Sequence, residues 1–198
     1  MHRWTSQLIP LELMGSHIAS GRSHTTGRLH TLGFRAHSAL MGHLGIEWDL
    51  AAASEEELAE LTAWITLYKE RRELLFTGDL VRADRGESPL WLQGVVSSER
   101  DEALFALSAV GRADTAQHPR LVLPGLDPAA AYRVRALLPS GPPSHLTPPP
   151  WLSRVLEADG AVLPGAVLAV AGLAAPLLDP EQGLLLSLTR ESAAGASR

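Results

Sequence analysis

The 198-residue sequence contains no cysteine, which excludes a disulfide-stabilised scaffold, an iron–sulfur cluster and a zinc site with thiolate ligands. Asparagine is absent as well, so the chain has no acceptor for N-glycosylation. Positive charge is scarce, with 17 Lys and Arg against 22 Asp and Glu. Because a nucleic-acid interface needs a basic patch, we expect no nucleic-acid partner. A hydrophobic fraction of 45% nevertheless predicts a folded protein.

Long hydrophobic segments are also missing, with one exception. The amino terminus lacks the apolar core of a signal peptide. The stretch 161–178 carries no charge, but it is short for a membrane span, and Pro164-Gly165 within it is typical of a turn between strands. We therefore expect no membrane association and a cytoplasmic location.

The pattern along the chain changes near residue 77. Before it, the short apolar run Leu11–Ile18 and the alternating segment Gly45–Leu50 predict strands. Apolar residues at steps of three and four predict helices over Arg28–Leu44 and Glu55–Leu75. No hairpin signal joins the strands, so they are expected to be parallel, with helical crossovers.

The second of these helices has clear boundaries in the sequence. Ser54 followed by Glu57 is a capping box, in which each side chain accepts a hydrogen bond from the other residue's backbone N–H. Gly78 stands where a helix is expected to end.

After residue 78 the sequence predicts strands alone. Short apolar runs separated by turns are typical of an antiparallel β-sandwich or barrel. The proline-rich segment Pro139–Pro150 is expected to be an extended loop, and residues 191–198 a disordered tail. The predicted strands are Leu80–Arg82, Leu90–Val96, Ala103–Val110, Arg120–Leu123, Tyr132–Leu138, Val162–Val170 and Leu184–Thr189.

Histidine is concentrated in the first 43 residues, which raises the possibility of a metal site because imidazole is a common metal ligand. No pair has the helical i, i+4 spacing with an intervening glutamate that metalloproteases use. We favour separate structural histidines and expect no metal and no cofactor. The six histidines are His2, His17, His24, His30, His37 and His43, of which the last three could share part of a helix face.

Glu47 and Asp49 stand two residues apart in a predicted strand, so their carboxylates should point to the same face, roughly 7 Å apart. Such a separation falls within the range for inverting glycosidases. Neighbours on one strand rarely flank a glycosidic bond, however, and pairing with arginine is the interpretation we favour.

Two further features have both a functional and a structural interpretation. The segment Ala19–Arg28 contains two Gly-Arg pairs that could bind an anion, but it lacks the lysine of a P-loop, and a strand-to-helix turn at Gly27 explains it equally well. Trp91 and Trp151 could stack on sugars, although packing in the fold is favoured for each.

Eight segments, taken in order, resemble glycoside hydrolase family 36, the bacterial α-galactosidases. The resemblance extends from about Arg3 to Thr189. The segments are Trp4–Pro10, Leu13–Ile18, His24–Arg28, Phe34–Ala36, Gly42–Leu50, Trp64–Lys69, Gly125–Pro128 and Leu178–Gln182.

The resemblance implies a (β/α)₈ barrel followed by an antiparallel β domain. A whole barrel needs about 250 residues, so residues 1–77 are expected to be only the carboxy-terminal remnant of one. Leu13–Ile18 would be its seventh strand and Gly45–Leu50 its eighth. Residues 78–190 would form the antiparallel β-sandwich. The predicted fold class is therefore α/β followed by all-β.

The resemblance also implies a retaining glycosidase that uses two aspartates on earlier strands. Its acid/base belongs to a Thr-Ser-Asp-type motif, and no Asp follows Ser6 in Trp4–Gln7. We therefore expect no catalytic residue in this chain and no activity of the chain alone. In an intact barrel, Ser16, His17 and Asp49 would be positioned to contact an α-galactoside.

Three hypotheses follow. The chain is a carboxy-terminal enzyme fragment that arose from a misplaced start, a frameshift or a gene break. Alternatively, it is one subunit of a split enzyme, in which an upstream partner chain supplies the earlier strands and both aspartates; a homo-oligomer is also a possible assembly. The third is a non-catalytic carbohydrate-binding or interaction module built on the β domain, in which Trp91 or Trp151 would contact the sugar.

Overall fold

The structure is a computed structural model, and it describes residues 2–83, 88–112, 120–144, 146–157 and 159–192. The chain divides into two compact units. The first unit comprises Met1–Phe76 together with Pro139–Gly141, and the second comprises Thr77–Leu138 and Pro142–Arg198. Of the predicted tail 191–198, residues 193–198 lie outside the described residues.

The first unit is built around two parallel strands connected through a helix. The strands pair in register from Gly15 opposite His43 to Ala19 opposite Glu47, and α2 packs against β1. The predicted parallel crossover is therefore confirmed. The elements are α1 (His2–Thr5), a 3₁₀ turn (Leu11–Leu13), β1 (Gly15–Ala19), α2 (Leu32–Ala39), β2 (His43–Glu47), a second 3₁₀ turn (Leu50–Ala52) and α3 (Glu55–Thr77).

The amino terminus of α3 is fixed by its own sequence. Ser54 N donates to Glu57 Oε2 over 3.1 Å, and Glu57 N donates to Ser54 Oγ over 3.2 Å. This confirms the predicted capping box, in which two backbone N–H groups of the first turn gain partners. Most of the large apolar side chains of the helix, including Leu61, Trp64 and Leu75, are buried, whereas Leu58 in the first turn is exposed.

Helix α2 is shorter than predicted. Leu29 makes an isolated β-bridge with Arg22, which holds the residues before the helix in an extended conformation. Thr31 then caps the helix by accepting a hydrogen bond from Phe34 N at 3.2 Å. Strand β2 in turn begins at His43 rather than at Gly45, so the predicted helix to Leu44 extends too far.

The second unit contains a six-stranded antiparallel sheet in the order β3-β4-β5-β8-β6-β7. Most side chains of the strands β4, β5 and β8 are buried. The elements are β3 (Asp79–Arg82), β4 (Leu90–Val96), β5 (Glu102–Ala109), β6 (Ala131–Leu137), α4 (Pro150–Val155), β7 (Ala161–Pro164), a π-helical turn (Val167–Ala171) and β8 (Gln182–Arg190).

The core of this unit combines strand residues with residues from outside the sheet. Leu123, Leu152 and Leu168, which lie outside the strands, join the same buried cluster as Phe105 and Tyr132. The core is therefore closed partly by α4 and the π-helical turn. The described residues of this unit contain one sheet, and the second sheet of the predicted sandwich is not among them.

Two predicted strands of this region differ in the structure. Arg120–Leu123 forms only an isolated bridge between Leu121 and Leu173. Val162–Val170 is interrupted at Pro164, after which the chain forms the π-helical turn, since proline has no N–H for the ladder. Among the described residues, none of the helices combines the length and apolar character needed to cross a bilayer.

A fully buried tyrosine links two turns of the second unit. The Tyr132 hydroxyl accepts a hydrogen bond from Asp127 N at 3.0 Å and donates one to Arg100 O at 2.7 Å. Arg100 has a φ of 56°, a conformation that non-glycine residues rarely adopt. The hydroxyl therefore holds a strained turn in place.

We predict that Tyr132→Phe lowers the free energy of unfolding by about 1–3 kcal/mol, because two hydrogen bonds of the buried hydroxyl, each worth about 0.5–1.5 kcal/mol, are lost. Urea denaturation followed by circular dichroism measures the loss. Tyr68→Phe is the matched control, since among the described residues the Tyr68 hydroxyl has no hydrogen bond. Equal losses for the two variants would contradict the role assigned to Tyr132.

Candidate functional site

The β1–β2 pair has one covered face and one open face. Ser16 and Ile18 are buried at 2% and 0% exposure. Gly15, which precedes Ser16, and His17, which lies between the two buried residues, are exposed. Within the described part of the chain, β1 and β2 form hydrogen bonds with no other strand. Parallel strands place their carboxyl ends at one edge of the sheet, so this edge and the open face form the candidate site.

His17 is an exposed polar side chain of the open face. It pairs with Gly45 across the two strands. A Cβ atom on Gly45 would lie only 2.6 Å from His17 Cδ2, so the absence of a side chain there makes room for the imidazole ring. A glycine within a strand often marks such a close approach.

Asp49 lies beyond the strand rather than in it. Strand β2 ends at Glu47, and the exposed Asp49 carboxylate accepts a hydrogen bond from Ala51 N at 3.1 Å. Asp49 thus caps the short 3₁₀ turn that follows. The prediction that Glu47 and Asp49 share one strand face is wrong, because the chain has left the strand before Asp49.

The three predicted substrate contacts are therefore placed differently. His17 and Asp49 are exposed, and Ser16 is buried on the covered face. Their contact with a sugar stays a prediction.

Arg35 of α2 holds the carboxyl ends of both strands. Its guanidinium donates to Ala19 O at the end of β1 and, over 3.3 Å, to Thr31 O. It also lies over the Trp48 ring just after β2, with Cζ 5.0 Å from the ring centroid, a cation–π geometry. Burial lowers the pKa of Arg35, while Glu57 and Glu60 oppose that shift. One guanidinium therefore contacts the chain at the carboxyl ends of both strands.

A segment from much later in the chain completes the first unit near the same helices. Trp64 Nε1 donates to Ser140 Oγ over 2.8 Å, and the Ser140 hydroxyl donates to Glu60 Oε1. A Cβ on Gly33 would lie 2.6 Å from Ser140 Oγ, so Gly33 leaves space for this serine. Sequence reasoning missed Ser140, Glu60 and Arg35. For Arg35, the available signal was an arginine directly beside the apolar positions of α2.

The Gly-Arg segment 19–28 is a small hairpin stabilised by its own contacts. Arg22 Nη1 donates to Gly27 O over 2.9 Å, and Arg22 forms the bridge with Leu29. Gly27 has a φ of 70°, which favours glycine. The turn interpretation therefore fits the geometry, since Arg22 is used within the loop itself.

The histidines make separate contacts. His43 Nε2 lies 2.7 Å from Glu12 O and its ring lies 4.5 Å from that of Phe76, whereas His30 is 5.8 Å from Phe34. His37 is the one histidine of the three within α2. The His2 side chain lies outside the described part. Among the described residues, no group of three or more His, Asp or Glu is arranged to hold a metal ion.

The two candidate sugar platforms lie in the second unit. Trp151 is partly buried against the core, and its Nε1 donates to Ala174 O over 2.8 Å. Trp91 is half-buried in β4. The Trp151 indole is thus committed to an internal hydrogen bond, as expected of a structural residue.

Comparison with protein families decides the relationship. The family model described as Melibiase matches residues 1–78, and that of the glycosyl hydrolase family 36 C-terminal domain matches residues 89–188. The chain belongs to glycoside hydrolase family 36. The family resemblance carried by the sequence segments is therefore confirmed.

Individual relatives match nearly all of this chain. The alpha-galactosidase of Escherichia coli is 37% identical over 197 residues, which cover 96% of this chain and 27% of that protein. The alpha-galactosidase AgaA from Geobacillus stearothermophilus, in a variant crystallised with raffinose, superposes with a TM-score of 0.78 at 26% identity. AgaB from the same organism gives 0.77 at 27%.

These matches also define how much of a family 36 enzyme is present. This chain covers 24% of the AgaA chain and 23% of the AgaB chain, while 96% of this chain is covered in both cases. The chain thus spans about a quarter of the length of the relatives it matches.

The buried His37 gives the first unit a pH-dependent stability. Burial lowers the pKa of His37 to about 4 from its ordinary 6.5. Because the unfolded chain then binds a proton more readily than the folded chain, stability is present above pH 6.5 and falls as the pH is lowered toward 4. The shift corresponds to about 3 kcal/mol at most.

We predict that His37→Gln flattens the dependence of unfolding free energy on pH between 6.5 and 4, whatever its effect at neutral pH. Denaturation at several pH values measures this slope. His24→Gln, which alters an exposed histidine, should leave the slope as in the parent chain. An unchanged slope in His37→Gln would contradict the assignment.

Proposed function

We propose that the chain is the carboxy-terminal part of an α-galactosidase, an enzyme that hydrolyses terminal α-galactosyl residues. Residues 1–77 would supply the last two β/α units of a (β/α)₈ barrel, and residues 78–190 the antiparallel β domain that follows. The 37% identity to the Escherichia coli alpha-galactosidase over 96% of the chain carries this proposal.

The strand arrangement of the first unit supports completion by further strands. Parallel sheets are normally covered on both faces, and two strands cannot enclose a barrel interior. β1 and β2 pair only with each other in the part of the chain that the structure describes. We therefore propose that more β/α units, from the same polypeptide or a partner chain, pair with their free edges.

Exposed apolar side chains before β1 support the same arrangement. Trp4 is 57% exposed, Leu8 89% and Leu13 72%. Three large apolar side chains within ten residues are costly to leave in water, because each gains about 1.5–3 kcal/mol on full burial. We propose that they pack against the preceding β/α unit of the completed barrel.

The chain is proposed to supply barrel structure and substrate contacts, and no catalytic carboxylate. The family resemblance implies that both catalytic aspartates belong to other strands, and the Asp49 carboxylate already caps a turn. In the completed enzyme His17, from the open face, and Asp49 would contact the α-galactoside, with Ser16 packed behind them.

A hybrid enzyme tests the proposal. In the Escherichia coli relative, the segment that matches this chain is replaced by residues 1–190 of this chain. We expect the hybrid to hydrolyse an aryl α-galactoside, and the relative without any such segment to be inactive. The isolated chain should show no turnover, since it holds neither catalytic aspartate.

Two results would contradict the proposal. One is a folded but inactive hybrid. The other is hydrolysis by the purified isolated chain. The split-enzyme form of the proposal is tested by mixing: if the separate chain restores activity to the shortened relative, a covalent link is unnecessary.

Within the active hybrid, we expect His17→Ala to lower kcat/KM roughly tenfold, the effect of losing one good hydrogen bond to substrate. His24→Ala, at an exposed position of the 19–28 hairpin, is the control and should leave kcat/KM unchanged. Equal values for the two variants would remove His17 from the site.

A further inference from the structure

A set of hydrogen bonds, ring contacts and nearby charges leads from Ser140 to the carboxyl ends of β1 and β2. Its first part is a hydroxyl held from both sides. Trp64, buried at 3% exposure, donates its indole N–H to Ser140 Oγ, and the Ser140 hydroxyl donates to Glu60. The missing side chain of Gly33 leaves room for this geometry. Ser140 thus fixes the direction of the Glu60 carboxylate.

The second part relates Glu60 to Arg35 through α2, because a Cβ on Gly33, two residues before Arg35, would lie 3.4 Å from Glu60 Oε1. The negative charges of Glu57 and Glu60 act on the Arg35 guanidinium, which is partly removed from water. Charges interact more strongly where solvent screening is reduced. The position of the Glu60 carboxylate therefore affects how the guanidinium is held.

The third part joins Arg35 to both strand ends. The same guanidinium donates to Ala19 O, the last residue of β1, and lies over the Trp48 ring, one residue beyond β2. In a (β/α)₈ barrel the active site forms at the carboxyl ends of the strands. Arg35 thus spans the two ends that would border the substrate.

We propose that Arg35, Glu60 and Ser140 are positioning residues that fix the carboxyl ends of β1 and β2, with the Trp48 ring, for contact with the α-galactoside. This inference rests on the proposed function for its substrate. The residues act through Ala19 and Trp48, and none of them is proposed to touch the reacting atoms.

The isolated chain tests the connection without any need for activity. Its five tryptophans give five indole N–H signals in a ¹H–¹⁵N spectrum, each assigned with a Trp→Phe variant. In Ser140→Ala we expect the Trp64 signal to shift, because its acceptor is lost, and the Trp48 signal to shift with it. Ser153→Ala, an exposed serine of α4, should move neither.

A second variant separates the effect of the Ser140 hydrogen bonds from the effect of the Glu60 charge on Arg35. It also tests the proposal if Ser140→Ala fails to fold. Glu60→Gln keeps an oxygen for the Ser140 hydroxyl and removes the charge that acts on Arg35. The Trp48 signal should therefore shift, with a smaller change at Trp64. A Trp48 signal unmoved in the folded variants overturns the proposal.

Kinetics of the hybrid enzyme distinguish a positioning role from a merely structural one, because they measure KM and kcat separately. We expect Arg35→Met to raise KM roughly 2- to 30-fold, the range for residues that act through others, with less change in kcat. Arg35→Lys keeps a cation and should recover part of the loss. A kcat loss without a KM change, or no recovery with lysine, contradicts a positioning role.

The two proposals fail in different ways. An inactive hybrid with the native residues contradicts the proposed function and leaves the indole spectra of the isolated chain to decide the connection. An active hybrid with unmoved Trp48 signals contradicts the positioning role alone.

Discussion

The parallel pairing of β1 with β2 is the constraint on which the candidate site depends. Its register puts His17 beside Gly45, and it brings the ends of both strands within reach of one arginine. A slip of one residue would reverse the faces of a strand, burying His17 and exposing Ser16. The buried Ser16 and Ile18 oppose that slip, because they pack on the covered side.

The carboxylates near the carboxyl ends of β1 and β2 accept hydrogen bonds from the protein itself, which bears on whether they could serve as acid/base groups. Asp49 caps a turn and Glu57 caps α3. Glu60 accepts from Ser140. These carboxylates accept structural hydrogen bonds, whereas the acid/base of a glycosidase must exchange a proton with the substrate. This agrees with the proposal that the unit borders a sugar site whose catalytic groups come from elsewhere.

Features determined by neighbouring residues were predictable from the sequence. The Ser54–Glu57 capping box and strand β4 at Leu90–Val96 lie where the sequence predicts them, since the capping box spans four residues and the apolar run seven. The end of β2 was not predictable in this way. Asp49 continues the alternation of Glu47, but a local cap on Ala51 competes with the strand.

Features determined by distant residues left little trace in the sequence. Ser140 meets Trp64 from 76 positions away, and no local pattern marks that serine. Helix α4 begins at Pro150, in a segment whose prolines predict a loop, because proline is also favoured in the first turn of a helix. Residues 84–87 and 113–119 lie outside the described residues, and the domain boundaries at 77 and 190 stay predictions.

Hydrogen exchange gives the most direct test of the central claim, that β1 and β2 are two strands of a larger barrel. The chain is mixed with the Escherichia coli relative shortened by the matching segment, and amide exchange is followed by mass spectrometry. We predict slower exchange in Gly15–Ala19 and His43–Glu47, with exchange in the central strand β8 unchanged. Binding without added protection of these two strands, or no binding at all, would contradict the account.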